Sequence, residues 1–191
     1  MIKRILVVAA ILMMAAVVGG FAGQTQIPDR GEWNGRTYTN EFLGLTFEIP
    51  AGWMIFSDAQ IAEAFGIGAD LFDLDFDEVE SAIVMMATNL STGANVNIVF
   101  ERLPPRLRIT GSEYLSIGGE QIESIGGVIT PIAGTTRIGA YDWYSHYSEV
   151  AMQFQNRQFA TIKAGFAAII TITYFNDVSE VYEILSFFGS N

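Results

Sequence analysis

The sequence predicts an α+β domain, a largely antiparallel sheet with helices packed on its faces. Three observations predict it. Short runs of alternating apolar and polar residues outnumber runs of helical period. Most of these runs are joined by polar or glycine-bearing links of hairpin length, not by crossover lengths. The few helical patterns open on Ser or Asp with Gln, Glu or an apolar run behind them, as helix starts do.

The firmest stretch is 34–53, NGRTYTNEFLGLTFEIPAGW. Tyr38 closes a first short strand, and Asn40 and Gly44 supply turn chemistry. Leu45, Phe47 and Ile49 then alternate with Thr46 and Glu48, the period of a half-buried strand. Pro50 has no N–H for a ladder and ends it. Gly52 lets the chain turn, and Trp53 brings a large ring back toward the core.

Residues 54–56 continue as strand. Ser57 with Gln60 forms a capping box for a helix over 58–65, with Ile61, Ala62 and Phe65 on one face. The acidic segment 70–80, DLFDLDFDEVE, fits a helix or a strand; its length favours a helix with acids in the first turn. Residues 82–90 and 94–100 predict a hairpin joined at 91–93, with Val96, Ile98 and Phe100 facing the core. Pro104 and Pro105 end that unit. Ser112 is a candidate cap for a helix holding Tyr114, Leu115, Ile117 and Ile122, which Gly118 and Gly119 weaken in its middle. Short strands are expected at 128–132 and 136–140, and a long aromatic one over 141–154. A turn at 155–157, a return over 158–163 and a second turn at Ala164–Gly165 follow. Residues 166–174, FAAIITITY, read as a fully buried strand. Asp177 with Glu180 starts a last helix, whose apolar face is Val181, Tyr182, Leu185 and Phe188 and which Gly189 stops.

Residues 1–23 have the parts of a secretory signal: Lys3 and Arg4, an unbroken apolar run, and small Gly20 and Ala22 before a cut. The alternative is an uncleaved N-terminal anchor. Residues 24–32 are expected to be a flexible lead-in, and 33–191 a single domain. Among 191 residues there is no cysteine, which excludes disulfides, a thiol nucleophile and an acylated N-terminal cysteine. The net charge is −11, and loss of Lys3 and Arg4 leaves 8 basic residues against 21 acidic ones, or −13. So acidic a chain is repelled by nucleic acid and anionic lipid, so no nucleic-acid partner is expected.

The 34–53 stretch resembles the opening of secreted proteins and lipoproteins of unassigned function from Gram-positive bacteria. These are similar to the PsbP-like fold, which the Ran-binding Mog proteins share. The stretches 85–103, MMATNLSTGANVNIVFERL, and 162–174, IKAGFAAIITITY, fit the same pattern. The resemblance implies a three-layer α/β/α sandwich around an antiparallel sheet, and an accessory or protein-binding role. It places no functional residue, and the missing cysteine departs from the lipoprotein members.

The residues that carry chemistry are few. His146 is the single histidine; it lies in YDWYSHYS and reads as a surface or cross-strand side chain, with no Gly-x-Ser-x-Gly elbow to serve. Asp73, Asp75 and Asp77 are weak metal candidates, since an EF-hand needs Gly and a carboxylate where Glu78 and Val84 stand. Tyr141, Trp143 and Tyr147 share one side of their strand, with Tyr144 on the other, and form a candidate binding platform. No catalytic residue and no cofactor is expected. The function expected is a secreted, non-enzymatic binding or accessory domain that contacts an unidentified protein. It should have no transmembrane helix once the leader is removed. The alternatives are a ligand or calcium sensor built on 70–80, or a hydrolase whose carboxylate pair meets only in the fold.

Overall fold

The computed structural model describes residues 27–65, 80–150 and 154–190. The leader and the acidic stretch with Asp73, Asp75 and Asp77 lie outside the described residues. In chain order the elements are β1 (Glu32–Asn34), β2 (Thr37–Asn40), β3 (Leu45–Glu48), β4 (Trp53–Ile55), α1 (Asp58–Phe65), β5 (Ser81–Asn89), β6 (Asn95–Arg102), α2 (Gly111–Ser124), β7 (Val128–Ile138), β8 (Tyr141–Val150), β9 (Phe154–Lys163), β10 (Phe166–Tyr174), α3 (Ser179–Leu185) and β11 (Phe188–Ser190). They form a mixed α+β fold with two antiparallel sheets. The small sheet has the order β1-β2-β3-β11, and the large one β4-β5-β6-β10-β9-β8-β7.

Register fixes what each face of the large sheet carries, because side chains alternate. Ile98 pairs with Ile170, Ile170 with Phe159, and Phe159 with Ser145, so these share a face. Trp143, Val96, Phe100 and Ile172 lie on it too. They pack in one core with Tyr38, Leu45 and Phe47 of the small sheet and Val181 and Ile184 of α3. One register step away, Asn97 pairs with Thr171, Thr171 with Gln158, and Gln158 with His146. That opposite face receives α2, whose Tyr114 and Leu115 pack on Leu103, Ala160, Ala167 and Ile169. α2 crosses β9, β8 and β7. Gly111 starts it against β9, where any side chain would overlap the Ala160 carbonyl. The resemblance implied helical outer layers, but the layer over the apolar face is mostly the small sheet, with α3 beside it.

Several expectations hold in detail. The β2–β3 hairpin and the helix over Asp58–Phe65 form as read, and the Ser57 and Gln60 pair makes its reciprocal bonds. The hairpin of β5 and β6 turns at Gly93, whose φ is 81°. β10 spans Phe166–Tyr174 and is buried on both faces.

Others are corrected. The cap of α2 is Thr110, not Ser112; its side chain accepts from the Glu113 N–H, and the Glu113 carboxylate accepts from the Thr110 N–H. Gly118 and Gly119 do not break that helix; both are buried, and Gly119 meets Ile129 of β7. β7 is one strand with a register shift between Ile132 and Thr136, where two short strands were expected. Gln155, Asn156 and Arg157 do not turn; they pair with Glu149, Ser148 and Tyr147 inside the sheet. Phe188 and Gly189 belong to β11, paired with Phe47 and Thr46, and not to a helix and its stop. Tyr182 points away from the core, and Ile184 takes its expected place. The lead-in, expected to be loose, is tied down where described. The Asp29 carboxylate accepts from the Gly31 and Phe42 N–H groups, and the Tyr38 hydroxyl donates to the Arg30 carbonyl.

Candidate functional site

The platform Tyr141, Trp143 and Tyr147 shares one side of β8, as alternation requires, but that side faces the core. Trp143 is 0% exposed, and its indole N–H donates to the Ile138 carbonyl at 3.0 Å. It therefore has no face to offer a partner. Tyr141 and Tyr147 are half-buried at the rim of the same core. Tyr141 meets the ammonium of Lys163, 4.7 Å from its ring centre.

Tyr147 has a different neighbour. Arg157 of β9 sits directly across from it in register and lays its guanidinium 4.3 Å from the Tyr147 ring centre and 5.2 Å from that of Phe159. The Arg157 Nη2 donates to the Ser145 hydroxyl at 2.8 Å. Its Nε–H has no hydrogen-bond partner among the described residues, although the residue is only 7% exposed. No carboxylate among the described residues pairs with it. The Tyr182 hydroxyl of α3 lies beside that of Tyr147. Burial first, then this neighbour, hold the Tyr147 hydroxyl above its ordinary pKa, against the pull of Arg157.

Around this cluster, exposed apolar side chains stand among polar and acidic ones, Asp177 and Glu149 included. Tyr182 is 61% exposed, and Phe175 and Val178, in the link from β10 to α3, are exposed as well. Gly93 at the tip of the β5–β6 hairpin approaches the Phe175 ring, which brings exposed Leu90 to the same end of the molecule. Tyrosine, phenylalanine and arginine are the residues most enriched at protein interfaces.

His146 lies on the opposite face, buried under the layer of α2. Its Nε2–H donates to the Gln158 Oε1 at 2.7 Å, and the Gln158 amide in turn reaches the Thr171 hydroxyl at 3.4 Å. Burial, chiefly, and Arg157 hold its pKa below the ordinary value, against the Gln158 bond. It is a buried cross-strand histidine, and among the described residues no carboxylate stands in its chain of bonds. Two rows of polar side chains run across this face. One is Asn97, Thr171, Gln158 and His146; the other is Thr88, Asn95, Thr173, Asn156 and Ser148. All nine are buried. The Thr173 hydroxyl donates to the Asn156 Oδ1 at 2.7 Å, whereas the Ser148 hydroxyl has no partner among the described residues. The signal in the sequence was a polar-x-polar pair in four of the five strands: Asn95 and Asn97, His146 and Ser148, Asn156 and Gln158, Thr171 and Thr173.

At the edge of the α2 contact, the Tyr114 hydroxyl donates to the Glu101 Oε2 at 2.7 Å. Burial raises the Glu101 pKa, with Glu80 adding to it and the Tyr114 bond opposing it. Asp73, Asp75 and Asp77 lie outside the described residues, and among the described residues no group of three or more His, Asp or Glu side chains is placed to hold a metal ion. No helix among the described residues is long and apolar enough to cross a membrane.

No family model matches the chain, and no curated protein matches it. Among solved structures, a cyanobacterial PsbP from Synechocystis sp. PCC 6803 aligns over 92% of this chain and 98% of its own, at 13% identity and a TM-score of 0.49. The chain resembles PsbP. A crystal structure from Bacteroides thetaiotaomicron VPI-5482 aligns over 78% of this chain and 45% of its own, at 12% identity and a TM-score of 0.35. PsbP is also the group that the sequence resembles; at these similarities no property of either protein is carried over.

Proposed function

We propose that this chain is an extracytoplasmic, non-enzymatic binding or accessory domain whose partner is a protein. Its domain runs over 33–191, behind a leader at 1–23. The observation that carries the reading is the group of exposed apolar side chains Leu90, Phe175, Val178 and Tyr182, of which Tyr182 reaches Tyr147 and, through it, Arg157. Exposed aromatic side chains gathered around a buried arginine have the composition of an interface centre. Solvated loops alone would carry scattered, smaller polar residues. Of the expected platform, Tyr147 stays in the proposed site; Tyr141, packed on Lys163 at the far end of β8, and the buried Trp143 stand outside it.

The test is site-specific photo-crosslinking in cells that export the protein. A cross-linker at Tyr182 is expected to capture one discrete protein, and one at Arg137, on the exposed β7–β8 hairpin, is not. Equal capture from both positions, or from neither, would sink the reading.

A further inference from the structure

A buried guanidinium is expensive unless its charge is met. In this chain it is met only in part. Arg157 lies over the Tyr147 and Phe159 rings, donates to the neutral Ser145 hydroxyl, also reaches the neutral Tyr147 hydroxyl, and among the described residues leaves its Nε–H without a partner. The chain carries 21 acidic residues, yet none of those described pairs with this cation. Cation–π contacts lower the cost without supplying an acceptor. The guanidinium also lies one ring below the surface: Tyr147, which stacks on it, is half-buried, and Tyr182 beyond it is exposed.

We infer that Arg157 is the anchor of a carboxylate-binding site, with Ser145, Tyr147 and Tyr182 as its walls. The inference rests on the protein-binding reading and names what the partner presents there: one carboxylate, from an acidic side chain or a chain end. The Nε and Nη2 N–H groups lie along one edge of the guanidinium, the edge that matches the two oxygens of a carboxylate. Ser145 accepts from one of the two Nη2 hydrogens and anchors the group, and Nη2 has a second hydrogen to donate. The Tyr147 and Tyr182 hydroxyls beside the guanidinium serve as further donors. Phosphate fits less well. It brings more charge than one guanidinium offsets, in a chain whose net charge is −11.

The experiment uses the full chain at fixed ionic strength, so that screening is constant. Thermal stability and the NMR signal of the Arg157 Nε–H are followed during titration with N-acetyl-aspartate amide, N-acetyl-glycine, inorganic phosphate and acetamide. A saturable rise in melting temperature with a carboxylate, together with a downfield move of the Nε–H signal, is the expected result. The side-chain and chain-end sources are told apart by which of the first two probes binds more tightly. Arg157→Lys keeps the charge and loses the fork, and should weaken binding by about tenfold or more. The Nε–H signal keeps the test decisive if that variant is unstable. A signal that moves with no carboxylate, moves equally with phosphate, or moves with acetamide overturns the proposal. If the carboxylates fail while a cross-linker at Tyr182 still captures one protein, the anchor is lost and the protein-binding reading stands.

Discussion

The two faces of the large sheet are built on opposite principles. Toward the small sheet, the strands present Val96, Ile98, Phe100, Ile170, Ile172, Phe159 and Trp143, and burial of apolar area holds most of that side together, with Arg157 and Ser145 its buried polar pair. Toward α2, the same strands present two rows of amides, hydroxyls and one imidazole, all buried. On the first face each side chain contributes by filling space, so loss of volume is what hurts. On the second, each contributes only if its hydrogen bonds are met, so loss of a partner is what hurts. One sheet therefore carries two kinds of sensitivity to substitution.

The sharpest break of this comparison is Trp143→Ala. It should cost about 3–5 kcal/mol, read as a lower urea midpoint with an unchanged slope. Across the sheet, Tyr114→Phe removes almost no volume but leaves Glu101 without its donor. It should cost about 1–3 kcal/mol at neutral pH, and less in acid, where Glu101 is protonated. Glu101→Gln tests the same pair from the other side. The folded-state pKa of Glu101 is raised, so its contribution is fully present below the unfolded value and is lost as pH rises through the folded one. The variant should thus melt higher than the parent at pH 7, and a gap that fails to shrink toward acid would refute the assignment. His146 runs the other way. Its pKa is lowered in the fold, so its contribution is present above the unfolded value of 6.5 and is lost as pH falls below it. His146→Gln should flatten that part of the stability profile. The smallest effect belongs to Asn97→Leu. Exchanging a buried amide without a described side-chain bond for an apolar side chain of similar size should change stability by less than about 1.5 kcal/mol. A larger loss would mean that the amide is bonded, and the contrast between the faces would weaken.

Much of this fold was readable in the chain because local signals agreed with the tertiary outcome. Alternation around Phe47, the Ser57 and Gln60 box and the apolar run of β10 each named their element. The misreadings share a cause. Gln155, Asn156 and Arg157 are turn-like by composition, but the sheet holds them as buried strand residues. Phe188 sits at helical spacing from Val181 and Leu185, and only its pairing with Phe47, far away in sequence, makes it a strand. The Thr110 cap was readable, since Glu113 stands three residues on; Ser112 was simply the nearer hydroxyl. Of the candidate site, only Tyr147 was foreseen. Arg157 looked like a turn residue because nothing in one strand says which ring lies across from it. The polar rows escaped because each strand supplies only one or two residues, and a row exists only once the register is known.

The pairing of Phe188 with Phe47 also sets an order of events. About 140 residues separate the two partners, so β3 has one open edge until β11 arrives. During synthesis the ribosome must deliver nearly all the rest of the domain before that edge is sealed. Until then β3 presents Leu45 and Phe47 on a strand able to pair with any neighbouring chain. The small sheet is thus both the last part to close and the part whose delay would expose a nascent chain to misassembly.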